Sequence, residues 1–173
     1  NFDYDQDGFL STEEQENIRY IDFSEHTDYN LLNSLKGIEY FPNLSTLICN
    51  NGGIDSLDLS ANAKLGNVEI QNHNMTELNL TGLTNLSRLH CEGNKLTALD
   101  ISDCTGLKEL KCSSNHDLTH LDISRNPCLI NAVEYGEEQT ADGFRSFYNK
   151  IASNNENVLW IDSDVLISGV IPT

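Results

Sequence analysis

"LSRLHCEGNKLTALDISDCTGLKELKCSSN", residues 86–115, contains one frame more than once, and that recurrence decides the fold. Leu86, Leu89 and Cys91 return 21 residues later as Leu107, Leu110 and Cys112. Working outward, the same positions hold Leu44, Leu47 and Cys49, then Leu65, Val68 and Ile70, while Leu129 follows Leu107 after 22 residues. A second copy lies about ten residues into each unit: Leu57, Leu78, Leu99 and Leu121, with Leu59, Leu80, Ile101 and Ile123 two positions on. Both frames alternate with period two, as a half-buried strand must. Each unit should therefore carry two short strands on opposite sides of a narrow core.

The quoted stretch resembles the nested 21-residue class of bacterial leucine-rich repeats known as IRREKO repeats. The preceding "LNSLKGIEYFPNLSTL" is similar to internalin-type repeats, with apolar residues every third position from Leu35 through Ile38, Phe41 and Leu44 to Leu47, as a 3₁₀ segment needs. The resemblance spans roughly residues 18–135. It implies an α/β repeat or mainly β architecture: a right-handed leucine-rich-repeat solenoid with short parallel strands on two sides. The expected division is 1–17 for an amino-terminal loop and short helix, 18–135 for the repeats and 136–173 for a cap. One departure stands out. Three residues after the Cys column the family places Asn, whose side chain bonds backbone between coils, and here that column reads Gly52, His73, Asn94 and Asn115. The first two coils are expected to be looser or locally rebuilt. An extra residue around His116–Asp117 is expected to bulge in a loop.

The cysteines at 49, 91, 104, 112 and 128 form no CxxC pair, which argues against a zinc ribbon or a thioredoxin-like motif. Cys91 shares the inward phase of Leu89 and reads as apolar filler, facing away from its neighbour His90. Cys104 takes a cap position held elsewhere by Asn62, Leu83 and Asn126. Cys128 fits no column, so a reactive thiol is expected there if anywhere.

"DYDQDGFLSTEE", residues 3–14, matches the EF-hand calcium loop. Asp3, Asp5 and Asp7 stand at positions 1, 3 and 5, Gly8 permits the sharp turn and Phe9 offers its carbonyl. Ser11 stands where a water often mediates, and Glu14 can bind through both oxygens. The four carboxylates at ligand positions repel one another without a cation, so Ca²⁺ is the expected cofactor; the alternative is an empty, solvated acidic turn. Ser11 and Glu14 also form a capping box for a helix near 12–19. The incoming helix of an EF-hand is missing, which suggests a half-site that clamps the end of the repeats.

Residues between the buried columns form two stripes. The first mixes Glu69, Arg88, His90, Glu109 and Lys111, which suits a partner-binding surface; a solvated polar face is the plainer reading. Glu69 and His90 could share a proton, yet no nucleophile or metal cluster accompanies them, and no enzyme activity is expected. The second carries Asp58, Asn79, Asp100 and Asp122 in a ladder, with Ser or Thr two positions on in every coil. Cation binding is the sharper reading of that ladder. Hydrogen bonding of turn backbone is preferred, because the Gly-rich pattern of calcium-binding β-rolls is absent. Sequons at Asn43, Asn74, Asn79 and Asn85 follow from the repeat's own composition. The tail from about 137 reads as strands, or strands with a helix, and its Phe144, Phe147, Tyr148, Val158, Trp160, Val165 and Ile167 are expected to build an aromatic cap over the last open coil.

The net charge of −17, from 27 acidic and 10 basic residues, repels phosphate backbones and anionic lipid, so nucleic acid is an unsuitable partner. No apolar run reaches the roughly 18–20 residues of a membrane span. The chain opens on Asn1, as a mature or trimmed fragment would. The resemblance implies a secreted or surface-attached bacterial protein, with which the calcium loop agrees, and the expected function is non-enzymatic recognition of a protein or glycan through the exposed strand faces. A passive spacer or cap in a longer surface protein is the alternative, and a hydrolase accessory domain a third.

Overall fold

The computed structural model describes residues 4–24, 32–135, 137–141, 144–152, 155–162 and 164–170. The protein is mostly β, with parallel strands and few helices. On one side, β1 (Tyr20–Asp22), β2 (Thr46–Ile48), β4 (Asn67–Glu69), β6 (Arg88–His90) and β7 (Glu109–Lys111) pair in parallel, each with the next. Leu47, Val68, Leu89 and Leu110 lie in register across them and are fully buried. The alternation of the sequence thus becomes a file of aliphatic side chains facing one core. Cys49, Ile70, Cys91 and Cys112 form a second file beside it, each at most 1% exposed.

The other side is shorter. There β3 (Ser56–Asp58) pairs with β5 (Glu77–Asn79), and β8 (His120–Asp122) pairs with β12 (Leu166–Ser168). The third repeat departs from expectation: residues 98–100 form no strand, although Leu99 stays buried. Leu59 N–H donates to the Asn79 carbonyl at 3.0 Å, but among the described residues no backbone hydrogen bond joins 98–100 to either neighbour. Two features of the chain work against pairing. Leu99 and Leu121 are 22 apart rather than 21, the extra residue lying in a turn at 116–117, and Ala98 brings little side chain to a strand surface. A cleft of about 250 Å³ opens toward β8, lined by Asp100, His120, Asp122 and Arg125 among others.

Between strands the turning backbone needs partners. Asn94 Nδ2 donates to the carbonyls of Ile70 (2.9 Å) and Cys91 (3.0 Å), and Oδ1 accepts the Met75 N–H at 3.3 Å. Asn115 does the same with Cys91, Cys112 and the Leu96 N–H. The first two repeats were expected to be looser where Gly52 and His73 interrupt this column. Instead His73 fills the Asn role, Nε2 lying 2.8 Å from the Cys49 carbonyl and Nδ1 accepting the Ile54 N–H at 3.4 Å. Gly52 makes room for the ring, since a Cβ there would come within 2.8 Å of His73 Cε1 and 2.6 Å of the Leu32 carbonyl. The two departures from the Asn column are one adaptation. Asn62 and Asn126 bridge repeats similarly, while Cys104 in their column is simply buried.

Helix α1 (Thr12–Asn17) starts as the capping box requires, with Ser11 and Glu14 bonded reciprocally, and is shorter than expected. A 3₁₀ turn spans Ile38–Tyr40, where the three-residue spacing places it. After the repeats come α2 (Pro127–Tyr135), β9 (Glu137–Ala141), β10 (Phe144–Ala152) and β11 (Asn155–Asp162). β11 lies parallel to β7 with Leu159 opposite Leu110, and β10 and β9 continue antiparallel, giving an open eight-stranded sheet and no closed barrel. Residues 158–162 and 164–168 thus imitate one more repeat. Asp162 receives the Ser114 and Asn115 N–H groups at 2.8 and 3.1 Å, where a next repeat's backbone would otherwise be needed. The described core here is aliphatic rather than aromatic: Val158, Leu159, Ile161 and Val165 are buried, Phe144 is half-buried, and the side chains of Phe147 and Tyr148 lie outside the described set. Trp160, expected in the cap, points to the opposite side of β11.

Candidate functional site

The ladder brings the first stripe together around one carboxylate. Arg88 lies opposite Glu109 in register, and Glu69, His90, Lys111 and Trp160 follow one another along the next row. Glu109 Oε2 accepts from Arg88 Nε at 2.8 Å, and Oε1 meets His90 Nε2 at 2.8 Å and Lys111 Nζ at 3.4 Å. The His90 hydrogen bond, then that of Arg88, overcomes the opposing effect of burial and holds the Glu109 carboxyl down at about 2. Lys111 Nζ stands 5.8 Å from the Trp160 ring centre, within cation–π range.

Two expectations need correction. His90 is buried rather than exposed, with its Nε2 against Glu109 Oε1. Glu69 does not share a proton with His90: it accepts the Asn67 amide at 3.3 Å and leaves His90 to Glu109. Reading the stripe also missed Trp160. Burial pushes the Glu92 carboxyl up, and among the described residues its buried Oε2 has no hydrogen-bond partner. The signal for Trp160 was present, since "LWI" at 159–161 repeats the apolar–outward–apolar order of "LKC" at 110–112.

Burial keeps four of the five thiols protonated. Cys49 lies 3.9 Å from His73 Nε2, but burial pushes its thiol up to about 12, and Cys91, Cys104 and Cys112 are raised by burial as well. Cys128 on α2 is half-buried, the least enclosed of the five.

The acidic loop wraps its carboxylates in its own amides. Asp5 accepts the Asp7 N–H at 3.2 Å and Asp7 the Phe9 N–H at 2.8 Å. Glu14 Oε1 accepts the Tyr4 N–H at 2.6 Å, and Oε2 the Ser11 N–H and hydroxyl at 2.8 and 2.7 Å. The Ser11 hydroxyl does most to hold Glu14 below its ordinary carboxylate range. Left-handed backbone at Gln6 (φ 59°) and Gly8 (φ 89°) turns the loop inward. Asp3 lies outside the described residues. Among the described ones, no group of three or more His, Cys, Asp or Glu side chains converges on a metal position. The donors present are hard oxygens, which fit calcium chemically.

The second stripe bonds locally. Asp58, Asn79, Asp100 and Asp122 accept the N–H two residues on, from Ser60, Thr81, Ser102 and Ser124, at 2.8–3.0 Å, and Asn79 donates to Asp58 at 3.0 Å. These Asx turns use the ladder's oxygens for the chain itself. The Ser60 hydroxyl lowers Asp58, and the backbone N–H groups of Ser102 and Ser124 lower Asp100 and Asp122.

Parallel strands returning every 21 residues over a file of Leu and Cys give the chain a leucine-rich-repeat-like, bacterial internalin-like character. No protein-family model and no curated protein matches it. Among solved structures it is similar to the functional domain of InlJ from Listeria monocytogenes, described as including a cysteine ladder. The two share 34% identity at a TM-score of 0.61, over 68% of this chain and 25% of that one, so the chain spans about a quarter of that domain's length. Among the described residues no helix is long and apolar enough to cross a membrane.

Proposed function

We propose that the chain is a non-enzymatic recognition module, secreted or displayed at a cell surface, that binds a protein or glycan through its first face. In this reading residues 18–135 wind as a right-handed solenoid, closed by 136–173. The supporting observation is the network on Glu109: Arg88, His90 and Lys111 are fixed by neighbouring strands before any partner arrives, with Trp160 beside them. Arg and Trp are the residue types that carry interface energy, and side chains already immobilised cost less to order on binding. Arg88, with 49% of its side chain exposed, and Trp160 make first contact, while Glu69 extends the face. Glu109 and His90 position them.

A structural calcium ion held by Asp3, Asp5, Asp7, the Phe9 carbonyl, Ser11 and Glu14 would relieve the repulsion among four carboxylates and pin the amino-terminal end. Titration calorimetry with CaCl₂, with Asp5→Ala as control, reads this directly. Heat and a raised melting temperature in wild type alone support it; no heat in either removes it.

For the face, a glycan array and a panel of purified extracellular domains are probed with wild type and with Arg88→Ala/Lys111→Ala/Trp160→Ala. Ligands bound by wild type and lost by the triple variant support recognition. Equal binding by both proteins, or none by either, supports the spacer reading.

A further inference from the structure

His73, Asn94 and Asn115 hold the same place in three successive repeats, and only the first of these side chains takes up a proton near neutral pH. Each accepts the N–H 19 residues back and donates to the carbonyl 24 residues back: Ile54 and Cys49, Met75 and Ile70, Leu96 and Cys91. An amide supplies both functions from one planar group whatever the pH. An imidazole does so only as the neutral tautomer with its hydrogen on Nε2, so that Nδ1 can accept. The ring is accommodated at a specific cost in sequence, since Gly52 lacks the Cβ that would stand 2.8 Å from Cε1.

We propose that His73 makes the joint between the repeats of β2 and β4 acid-sensitive: a proton at Nδ1 sets an N–H against the Ile54 N–H and loosens that joint, while the joints at Asn94 and Asn115 hold. The ring is only 5% exposed. Among the described residues the titratable group against it is Cys49, its Sγ 3.9 Å from Nε2 and its thiol kept neutral by burial, and no charged side chain faces the ring to compensate an imidazolium. Burial accordingly holds the ring below its ordinary value of 6.5. Because the opened form takes the proton first, the stability of this joint is complete above about pH 6.5 and declines as the pH falls below it. One unit lower, opening becomes more frequent by at most about ten-fold. The response would fall on the end of the first face that carries Thr46, Ile48, Asn67 and Glu69.

Hydrogen exchange of the full chain at pH 7.5 and 5.5, corrected for intrinsic rates, tests this. Protection over residues 44–58 and 65–76 should fall severalfold, by at most about ten-fold, at the lower pH with no comparable fall over 107–118, and His73→Asn should remove the difference. Unchanged protection in wild type, or the same fall in His73→Asn, overturns the proposal. If His73→Asn does not fold, NMR titration of the wild-type ring decides. Titration below the free-histidine value supports the acid-sensitive joint, and titration at or above that value overturns it.

Discussion

The two sides of the repeat are written in nearly the same frame, yet they end up unlike one another. On the first, every repeat pairs with the next and the outward side chains are largely half-buried, held by one another around Glu109. On the second, pairing stops at residues 98–100, and the outward side chains are almost all exposed and bonded to their own turns. An alternating frame therefore secures burial of its Leu column without securing a sheet. Continuity also needs equal spacing from repeat to repeat and side chains that pack across strands.

The largest test of this contrast replaces the same residue on each side. Leu89→Ala, in the continuous ladder, should cost about 3–5 kcal/mol, whereas Leu99→Ala, beside a cleft that can collapse onto the void, should cost about 2–3 kcal/mol. Chemical denaturation measures both, and equal losses would show that the break at 98–100 carries no energetic weight. Next comes Glu109→Gln, expected to cost about 1–2 kcal/mol at pH 7 because three cationic or hydrogen-bonding partners lose the negative charge they share. Glu109 titrates near 2 in the folded chain against an ordinary value of 4.5. Its stabilisation is thus present above about pH 4.5 and fades as the pH drops toward about 2, so the acid slope of the denaturation midpoint should flatten in this variant. The smallest effect is expected on the second side, where Asp100→Ala should change stability by no more than about 0.5 kcal/mol. A larger loss would mean that the exposed turns contribute as much as the buried network.

Much of the architecture was legible because it depends on short-range alternation. The Leu and Cys columns, the capping box at Ser11 and Glu14, and the 3₁₀ turn at Ile38 each follow from spacing within a few residues. Features set by longer reach were not. β1 offers only "YID" to announce itself, and it pairs with β2 across 26 residues. Trp160 joins the face because β11 returns beside β7 after α2 and a hairpin, so its nearest row-mate, Lys111, is 49 residues away in the chain. The contact of His90 with Glu109 lies across strands 19 residues apart, which no pattern of apolar residues encodes. His73 and Gly52 looked like two lapses in an Asn column when read singly; their coupling is visible only as a distance.

Trp160 is the chain's single tryptophan, and it sits on the face proposed for recognition with an ammonium group over its ring. The molecule consequently carries an unlabelled optical reporter at that spot. Indole emission comes from one known location, so a change in its wavelength or intensity on mixing with a candidate ligand would report events beside Lys111 without a dye or an engineered tag.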